Sequence, residues 1–198
     1  MLQLFFSLTS PFLGLSVWEN NQCLISLQKE NHRLHAENFL THLKALLKQI
    51  NRSLPELNEI YFTSFPSRQT GLRVSLTFLI TLQALNPQIK LYQINTLQFQ
   101  AGNDNCLSLL TLDKRESKYY VAVYSQKRCL LAPQLILKEE LTGLMKQFKG
   151  FLVRQDFREK GSAKTPLELN NFPIDLASQF QVLKSEFTLL KKVEEVDL

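Results

Sequence analysis

The order of apolar and polar residues predicts a chain that begins with strands and continues with alternating helices and strands. Three short apolar runs, at residues 2–7, 13–18 and 23–28, are separated by turn residues and predict a three-stranded meander. The segment "HAENFLTHLKALLKQI", which begins at His35, spaces its apolar residues at helical intervals and predicts an amphipathic helix. Glu37 falls in its first turn, where the helix dipole favours a negative charge.

A second helix, "TGLRVSLTFLITLQAL", follows a strand predicted in "NEIYFTSF". This helix has no charged residue after Arg73, and its apolar residues point in nearly every direction around its axis. Such a helix must be covered on both sides, so we expect one side to lie on the sheet and the other against something else. Thr70 is predicted as its N-cap.

The rest of the chain predicts a strand in "IKLYQI", a short helix begun by Asn95 or Thr96, and a break at "GNDN". This pattern is typical of the actin-like or ribonuclease H-like (ASKHA) α/β fold. We expect a mixed five-stranded sheet with helices in residues 1–104 and a smaller, degenerate α/β subdomain in residues 105–198. The tail "DLASQFQVLKSEFTLLKKVEEVDL" is predicted to be helical and to pack back on the first subdomain.

Composition and charge narrow the functional classes only a little. A net charge of +5 suits an anionic partner such as tRNA but does not require one, because the basic residues are spread along the chain. No segment resembles a membrane span of roughly 18–20 apolar residues or a secretory signal, so a cytoplasmic protein without membrane contact is predicted. The widely spaced Cys23, Cys106 and Cys129 are predicted as buried thiols rather than disulfides or metal ligands.

The stretch "FPSRQTGLRVSL", residues 65–76, is the strongest candidate for ligand chemistry, because a loop that opens a helix can hold a phosphate. One hypothesis is an actin-like kinase or ATPase with a phosphate loop at residues 65–73. Such an enzyme needs a carboxylate at the end of its first strand and glycine turns around the phosphates. The chain has Leu8 at the first position and only Gly71 in the loop, so a structural helix start is the other hypothesis.

No cofactor, metal site or catalytic residue is predicted. Arg68 and Arg73 are the cations that could attract an anion to the loop. His35 and His42 are two helical turns apart, about 10 Å, which is too far for two ligands of one metal ion.

Four segments resemble, in order and spacing, the bacterial TsaB family, also called YeaZ, a subunit of the machinery that makes threonylcarbamoyladenosine in tRNA. "LFFSLTSPFLGLSVWENN" is similar to the family's opening strands, and "HAENFLTHLKALL" to its His-Ser-Glu helix. "FPSRQTGLRVSL" resembles its Gly-Pro-Gly-Ser-Phe-Thr-Gly-Leu-Arg loop, and "LDKRESKYYVAVY" its Asp-Ala-Arg turn and Val-Tyr strand. The resemblance covers roughly residues 2–125, and Leu8 replaces an aspartate of the family. The matching residues are His35, Glu37, Pro66, Thr70, Gly71, Leu72, Arg73, Asp113, Arg115 and Tyr120.

This resemblance implies a non-catalytic scaffold, a pseudoenzyme that supports a TsaD-like paralogous transferase. The family is described as pairing with TsaD through its first two helices, as self-associating into a homodimer by that surface when alone, and as joined by a TsaE-like ATPase. Contact with tRNA is expected only through the complex. We therefore expect Leu79→Glu to abolish pairing and leave the monomer folded. The residues predicted at the partner interface are Leu40, Leu43, Leu47, Leu76, Leu79, Ile80 and Gln83.

Overall fold

The computed structural model describes residues 1–8, 12–30, 35–67, 69–112, 117–160 and 172–193. The chain forms two compact units, one made of Met1–Ile94 with the segment from Leu176 onward, and the other of Asn95–Asp175. None of the helices in these described ranges is long and apolar enough to cross a membrane.

From β1 to α3, strands and helices occur in the order that the sequence pattern predicts. The described strands are β1 (Leu2–Ser7), β2 (Phe12–Glu19), β3 (Gln22–Glu30), β4 (Leu57–Thr63), β5 (Lys90–Ile94), β6 (Cys106–Thr111), β7 (Lys118–Ser125), β8 (Arg128–Leu137), β9 (Leu152–Gln155), β10 (Arg158–Lys160), β11 (Phe172–Pro173) and β12 (Thr188–Leu190). The described helices are α1 (His35–Gln49), α2 (Gln69–Leu85), α3 (Thr96–Ala101), α4 (Lys138–Gln147) and α5 (Leu176–Leu183), with 3₁₀ turns at Leu54–Glu56 and Lys184–Glu186.

The first unit is built on a sheet whose described strands run in the order β12-β5-β4-β1-β2-β3. β1, β2 and β3 form the predicted antiparallel meander, whereas β1, β4 and β5 are parallel. Parallel neighbours need crossover connections, and α1 and α2 lie in those connections. Because side chains alternate along a strand, Leu4 and Phe6 belong to the core under these helices, while Phe5 points to the opposite face.

The C-terminal segment covers that opposite face. Phe180 of α5 is fully buried and stacks on Phe5, with ring centroids 4.9 Å apart, and it also contacts Trp18 and Tyr61. Beyond α5, β12 pairs antiparallel with β5 and adds an edge strand to the predicted five. The prediction of a helical tail is therefore wrong for residues Thr188–Leu190.

The second unit has its own sheet, with the described strands in the order β11-β10-β9-β6-β7-β8. On one face, Leu141 of α4 belongs to a core cluster with Tyr119 and Val121 of β7. On the other face, Leu97 of α3 belongs to a cluster with Ala122. Each face of this sheet thus has a helix and a small apolar core.

The division into units differs from the predicted boundary after residue 104, because α3 packs in the second unit. The side-chain amide of Gln100 donates to Ser108 Oγ at 2.7 Å and to the carbonyl oxygen of Arg154 at 2.9 Å. Arg154 in turn donates to the carbonyl oxygen of Ala101 at 2.7 Å. A helix of six residues carries little sequence information about which sheet it covers. The boundary predicted at "GNDN" therefore places α3 in the first subdomain, whereas the structure places it in the second unit.

Two cysteines contradict the prediction of buried thiols. Cys106 is buried in β6, whereas Cys23 and Cys129 are exposed. The two exposed cysteines lie in β3 and β8, each of which is an outer strand of its sheet. An outer strand has a neighbour on one side only, so its side chains are less completely covered than those of a central strand.

Candidate functional site

The carboxyl ends of β1 and β4 meet where the strand order of the first sheet reverses, the usual ligand position in an open α/β sheet. Hydroxyl groups occupy this position, since Thr63 Oγ1 donates to Ser7 Oγ at 2.9 Å and both residues are buried. Leu8 follows β1 and belongs to the core. The sequence has no Asp or Glu from residue 2 to 18 or from 60 to 73, so neither strand end offers a carboxylate.

Gly71 brings α2 directly against the end of β1. A methyl group built on Gly71 would lie 1.9 Å from the carbonyl oxygen of Leu8, so the backbones approach more closely than any side chain permits. The space beside Gly71 that the sequence suggested for a phosphate is therefore occupied by the protein backbone at Leu8. α2 begins at Gln69, so Thr70 lies inside its first turn and is not the N-cap as predicted.

Three of the seven residues predicted at a partner interface lie in the core of the first unit. Leu43 and Leu79 are fully buried and Leu47 is 2% exposed. Their side chains face the sheet, in the cluster that holds Leu4 and Phe6, and cannot reach a partner. These three assignments are therefore corrected to core positions.

The other four predicted interface residues are less covered. Leu40 is 43% exposed and Ile80 is 53% exposed, while Gln83 is half-buried. Leu76 is also half-buried and packs against the core of the first unit. Leu40 and Ile80 are thus the members of the predicted set that present apolar surface to solvent.

An apolar groove with a volume of about 490 Å³ lies between α1 and α2. Within it, the rings of Phe39 and Phe78 pack edge to face with centroids 4.9 Å apart. Two leucines of its lining, Leu40 and Leu85, are exposed. We call this feature the α1–α2 groove. It is lined by Ala36, Phe39, Leu40, Lys44, Leu54, Arg73, Val74, Thr77, Phe78, Thr81, Leu82 and Leu85.

The sequence pattern does not predict most of this groove. Of the lining residues, only Leu40 is among the predicted interface residues. On α2 the lining residues Arg73, Thr77, Thr81 and Leu85 recur every four positions and form one stripe. Because α2 is apolar almost all round, hydrophobic spacing could not distinguish this stripe from the others. The signal that could have found it is the pair Thr77 and Thr81, two hydroxyl-bearing residues one turn apart on the same face of a largely apolar helix.

The charged residues that line the groove are Lys44 of α1 and Arg73 of α2, both exposed. From the sequence, Arg73 is one of the cations that could attract an anion to the loop at residues 65–73. Its side chain instead lines the α1–α2 groove, a different surface from the hydroxyl pair at the strand ends.

Most of the remaining family-motif residues lie within helices or strands or in the core of their unit. His35 begins α1, and Glu37 is exposed in its first turn. Pro66 and Leu72 are buried, and Tyr120 in β7 packs half-buried against the second unit's α3-side cluster. Three residues considered in the sequence lie outside the described residues: Arg68, Asp113 and Arg115. Within the described ranges, no group of three or more His, Cys, Asp or Glu side chains is placed to hold a metal ion.

A buried polar cluster lies on the face of the first sheet that α5 covers. Glu59 accepts hydrogen bonds from Gln3 Nε2 at 2.7 Å and from the Tyr61 hydroxyl at 2.9 Å. Gln3 Oε1 accepts from Lys184 Nζ at 2.7 Å, so one amide links the carboxylate to the lysine. Burial raises the pKa of Tyr61, and loss of hydration lowers the pKa of Lys184. The cluster joins β1 and β4 to the C-terminal segment and is a structural connection.

Comparison with known proteins gives one family. The family model for TsaD, described as tRNA N6-adenosine threonylcarbamoyltransferase, matches residues 27–169, which is more than half of the chain. No curated protein matches the sequence significantly.

The solved structures that resemble the chain in fold include the following two. A protein described as "an uncharacterized protein with similarity to peptidase YEAZ from Pseudomonas aeruginosa" aligns with a TM-score of 0.67 and 16% identity, over 98% of this chain and 96% of that one. YeaZ from Pseudomonas aeruginosa aligns with a TM-score of 0.56 and 18% identity, over 69% of this chain and 66% of that one. With the two mixed sheets, these neighbours confirm the predicted actin-like or ribonuclease H-like fold.

Proposed function

The chain belongs to the TsaD family, and from this membership we propose that it acts in the threonylcarbamoyl modification of tRNA as a non-catalytic subunit. In this proposal it pairs with a TsaD-like paralogous subunit, which carries out the transfer, and acts as that subunit's scaffold. The observation that carries the pairing role is the α1–α2 groove.

An open apolar groove between two helices is a surface on which a helix of another protein can dock. Leu40 is 43% and Leu85 is 78% exposed on its walls. Ile80, which is not part of the groove lining, is a further exposed apolar residue of α2. Exposed apolar residues gathered in one region are typical of interaction sites. The groove, rather than the core leucines predicted from the sequence, is the docking surface in this proposal.

The non-catalytic part of the proposal is supported at the ends of β1 and β4. An actin-like phosphotransferase binds its metal through carboxylates at such strand ends and gives its phosphates room through glycine turns. Here the strand ends carry Ser7, Leu8 and Thr63, and Gly71 packs on the Leu8 carbonyl. This packing places protein backbone where Gly71, the glycine of the loop, would otherwise let a phosphate approach.

The proposal includes the other partners that the resemblance implies. A TsaE-like ATPase joins the pair, tRNA is contacted through the complex, and the free protein self-associates through the same groove in the cytoplasm. Self-association has a physical reason, because it would remove the same apolar groove from water when the partner is absent.

The pairing role is tested by light scattering on a sizing column, with this protein mixed with the TsaD-like protein of the same organism. We expect a one-to-one complex with the wild type. Leu40→Glu and Leu85→Glu each place a carboxylate on the groove wall and should weaken the complex at least tenfold. Both side chains are exposed, so the free energy of unfolding of the variant alone should change by no more than about 0.5 kcal/mol.

Leu135→Glu is the matched control, because Leu135 is 51% exposed but lies in β8 of the second unit. It should leave the complex unchanged. Absence of any complex with the folded wild type would overturn the pairing role. Equal weakening by the control would show that the groove is not the docking surface.

Thermal unfolding with Mg²⁺-ATP separates the scaffold from the kinase or ATPase hypothesis. A nucleotide at one hundred times its dissociation constant stabilises a protein by ~2.7 kcal/mol. We expect no shift in Tm. A shift that follows the ATP concentration would contradict the proposal that residues 65–73 do not bind a nucleotide.

A further inference from the structure

The α1–α2 groove has charges of one sign only. Its lining includes Lys44 from α1 and Arg73 from α2 and no carboxylate. Neither cationic side chain makes a hydrogen bond or ion pair with another described residue. By contrast, Arg52, which lies just beyond α1, is held by Glu19 at 3.0 Å and by Glu56 at 3.2 Å. The two groove cations are therefore uncompensated within the described part of the chain.

Charges of one sign affect the two possible pairings of the groove in opposite ways. In a symmetric homodimer the same surface meets itself, so both copies bring Lys44 and Arg73 to the contact. Repulsion between these cations opposes the gain from burying the apolar lining. A partner helix with carboxylates beside its apolar stripe would gain both from burial of the apolar lining and from attraction to Lys44 and Arg73. The overall charge of +5 adds to the repulsion between two copies.

We propose that Lys44 and Arg73 select the occupant of the groove, favouring an acidic amphipathic helix surface over a second copy of this chain. The inference rests on the proposed pairing function and adds the chemistry of the partner. Other charges on α1 do not reverse this balance. Glu37 lies in the first turn and Lys48 near the other end of α1, and neither belongs to the groove lining.

Salt gives the first test, because screening weakens attraction and repulsion alike. As sodium chloride rises from about 50 to 500 mM, the complex with the TsaD-like protein should weaken several-fold, while self-association of this chain should strengthen. Sedimentation velocity measures both equilibria. Salt dependences of the same sign for the two pairings would overturn the inference.

Charge reversal gives the second test. Lys44→Glu and Arg73→Glu should each weaken the mixed complex about two- to fivefold at low salt, as expected for exposed ion pairs. The doubly substituted chain should pair with the wild-type chain more tightly than either does with itself. Lys48→Glu is the matched control, because it makes the same change of net charge on α1 outside the groove.

The outcomes distinguish this inference from the proposed function. No complex with the TsaD-like protein at any salt concentration would overturn the pairing function itself. A complex whose affinity responds to Lys44→Glu and Arg73→Glu no more than to Lys48→Glu would leave pairing intact and overturn the charge selection. Far-ultraviolet circular dichroism and Tm confirm that each variant is folded.

Discussion

Gly71 shows how one residue can be interpreted in two ways until its neighbours are known. In the sequence it is the single glycine of a loop that resembles a phosphate-binding loop. In the structure its missing side chain makes room for the carbonyl oxygen of Leu8, a residue 63 positions earlier in the chain. In both interpretations something approaches the backbone of Gly71 closely. In the structure it is the end of β1 and not a ligand. Only the contact distance separates the two.

Gly71→Ala tests this contact. In a helix, alanine is favoured over glycine by about 1 kcal/mol, so an unobstructed position would gain stability. At Gly71 the new methyl group would meet backbone, and we expect a loss of about 1–3 kcal/mol or more in the free energy of unfolding. Urea denaturation measures the difference.

Gly143→Ala in α4 is the control for this prediction. Among the described residues, no atom outside the surrounding turns of α4 lies within 4 Å of the methyl group that would be added there. This variant should therefore be stabilised by about 0.5–1 kcal/mol. A stabilised Gly71→Ala protein would show that α2 does not need the close contact with β1.

Among the elements, α2 explains why the interface was only partly predicted. Its apolar residues cover its whole circumference, so the periodic pattern shows a helix but not the role of each face. The structure divides them into a face on the sheet with Leu79, a groove stripe with Thr77 and Thr81, and a third face with Ile80. Adjacent residues on this helix therefore have opposite environments.

Leu79→Glu and Ile80→Glu test this division. Leu79 is fully buried, and a carboxylate there has no described partner to compensate its charge. We expect Leu79→Glu to destabilise the monomer by at least 3 kcal/mol, contrary to the expectation from the sequence that it stays folded. Ile80→Glu, one position further, should change the free energy of unfolding by no more than about 0.5 kcal/mol. A stably folded Leu79→Glu monomer in urea denaturation would place Leu79 outside the core.

For the whole molecule, the main consequence of the structure is that the first unit is discontinuous in sequence. Its sheet is completed by residues that follow the second unit. Phe180 contacts Phe5, Trp18 and Tyr61, and Lys184 reaches the polar cluster around Glu59 through Gln3. The stability of the N-terminal strands therefore depends on the C-terminal segment.

Phe180→Ala tests this dependence. Truncating a fully buried phenylalanine typically costs about 3–5 kcal/mol. We expect a loss of this size in the free energy of unfolding, with faster hydrogen exchange in β1 and β2, although these strands are more than 160 residues away in sequence. Val182→Ala on the same helix is the control, because Val182 is 48% exposed and should have little effect. Faster exchange confined to α5 would show that the N-terminal strands are stable without it.

Periodicity along the chain was enough to predict the meander, α1, α2 and the mixed α/β class, because alternation of two and of 3.6 residues is a local property. The lack of a carboxylate after β1 could also be read directly, since it depends on residue identity alone. The assignment of α3 to the second unit, the strand at Thr188–Leu190 and the face of α2 that lines the groove required the tertiary structure. Each of these depends on contacts between residues far apart in sequence, where a short or uniformly apolar segment is compatible with several neighbours and packing selects one.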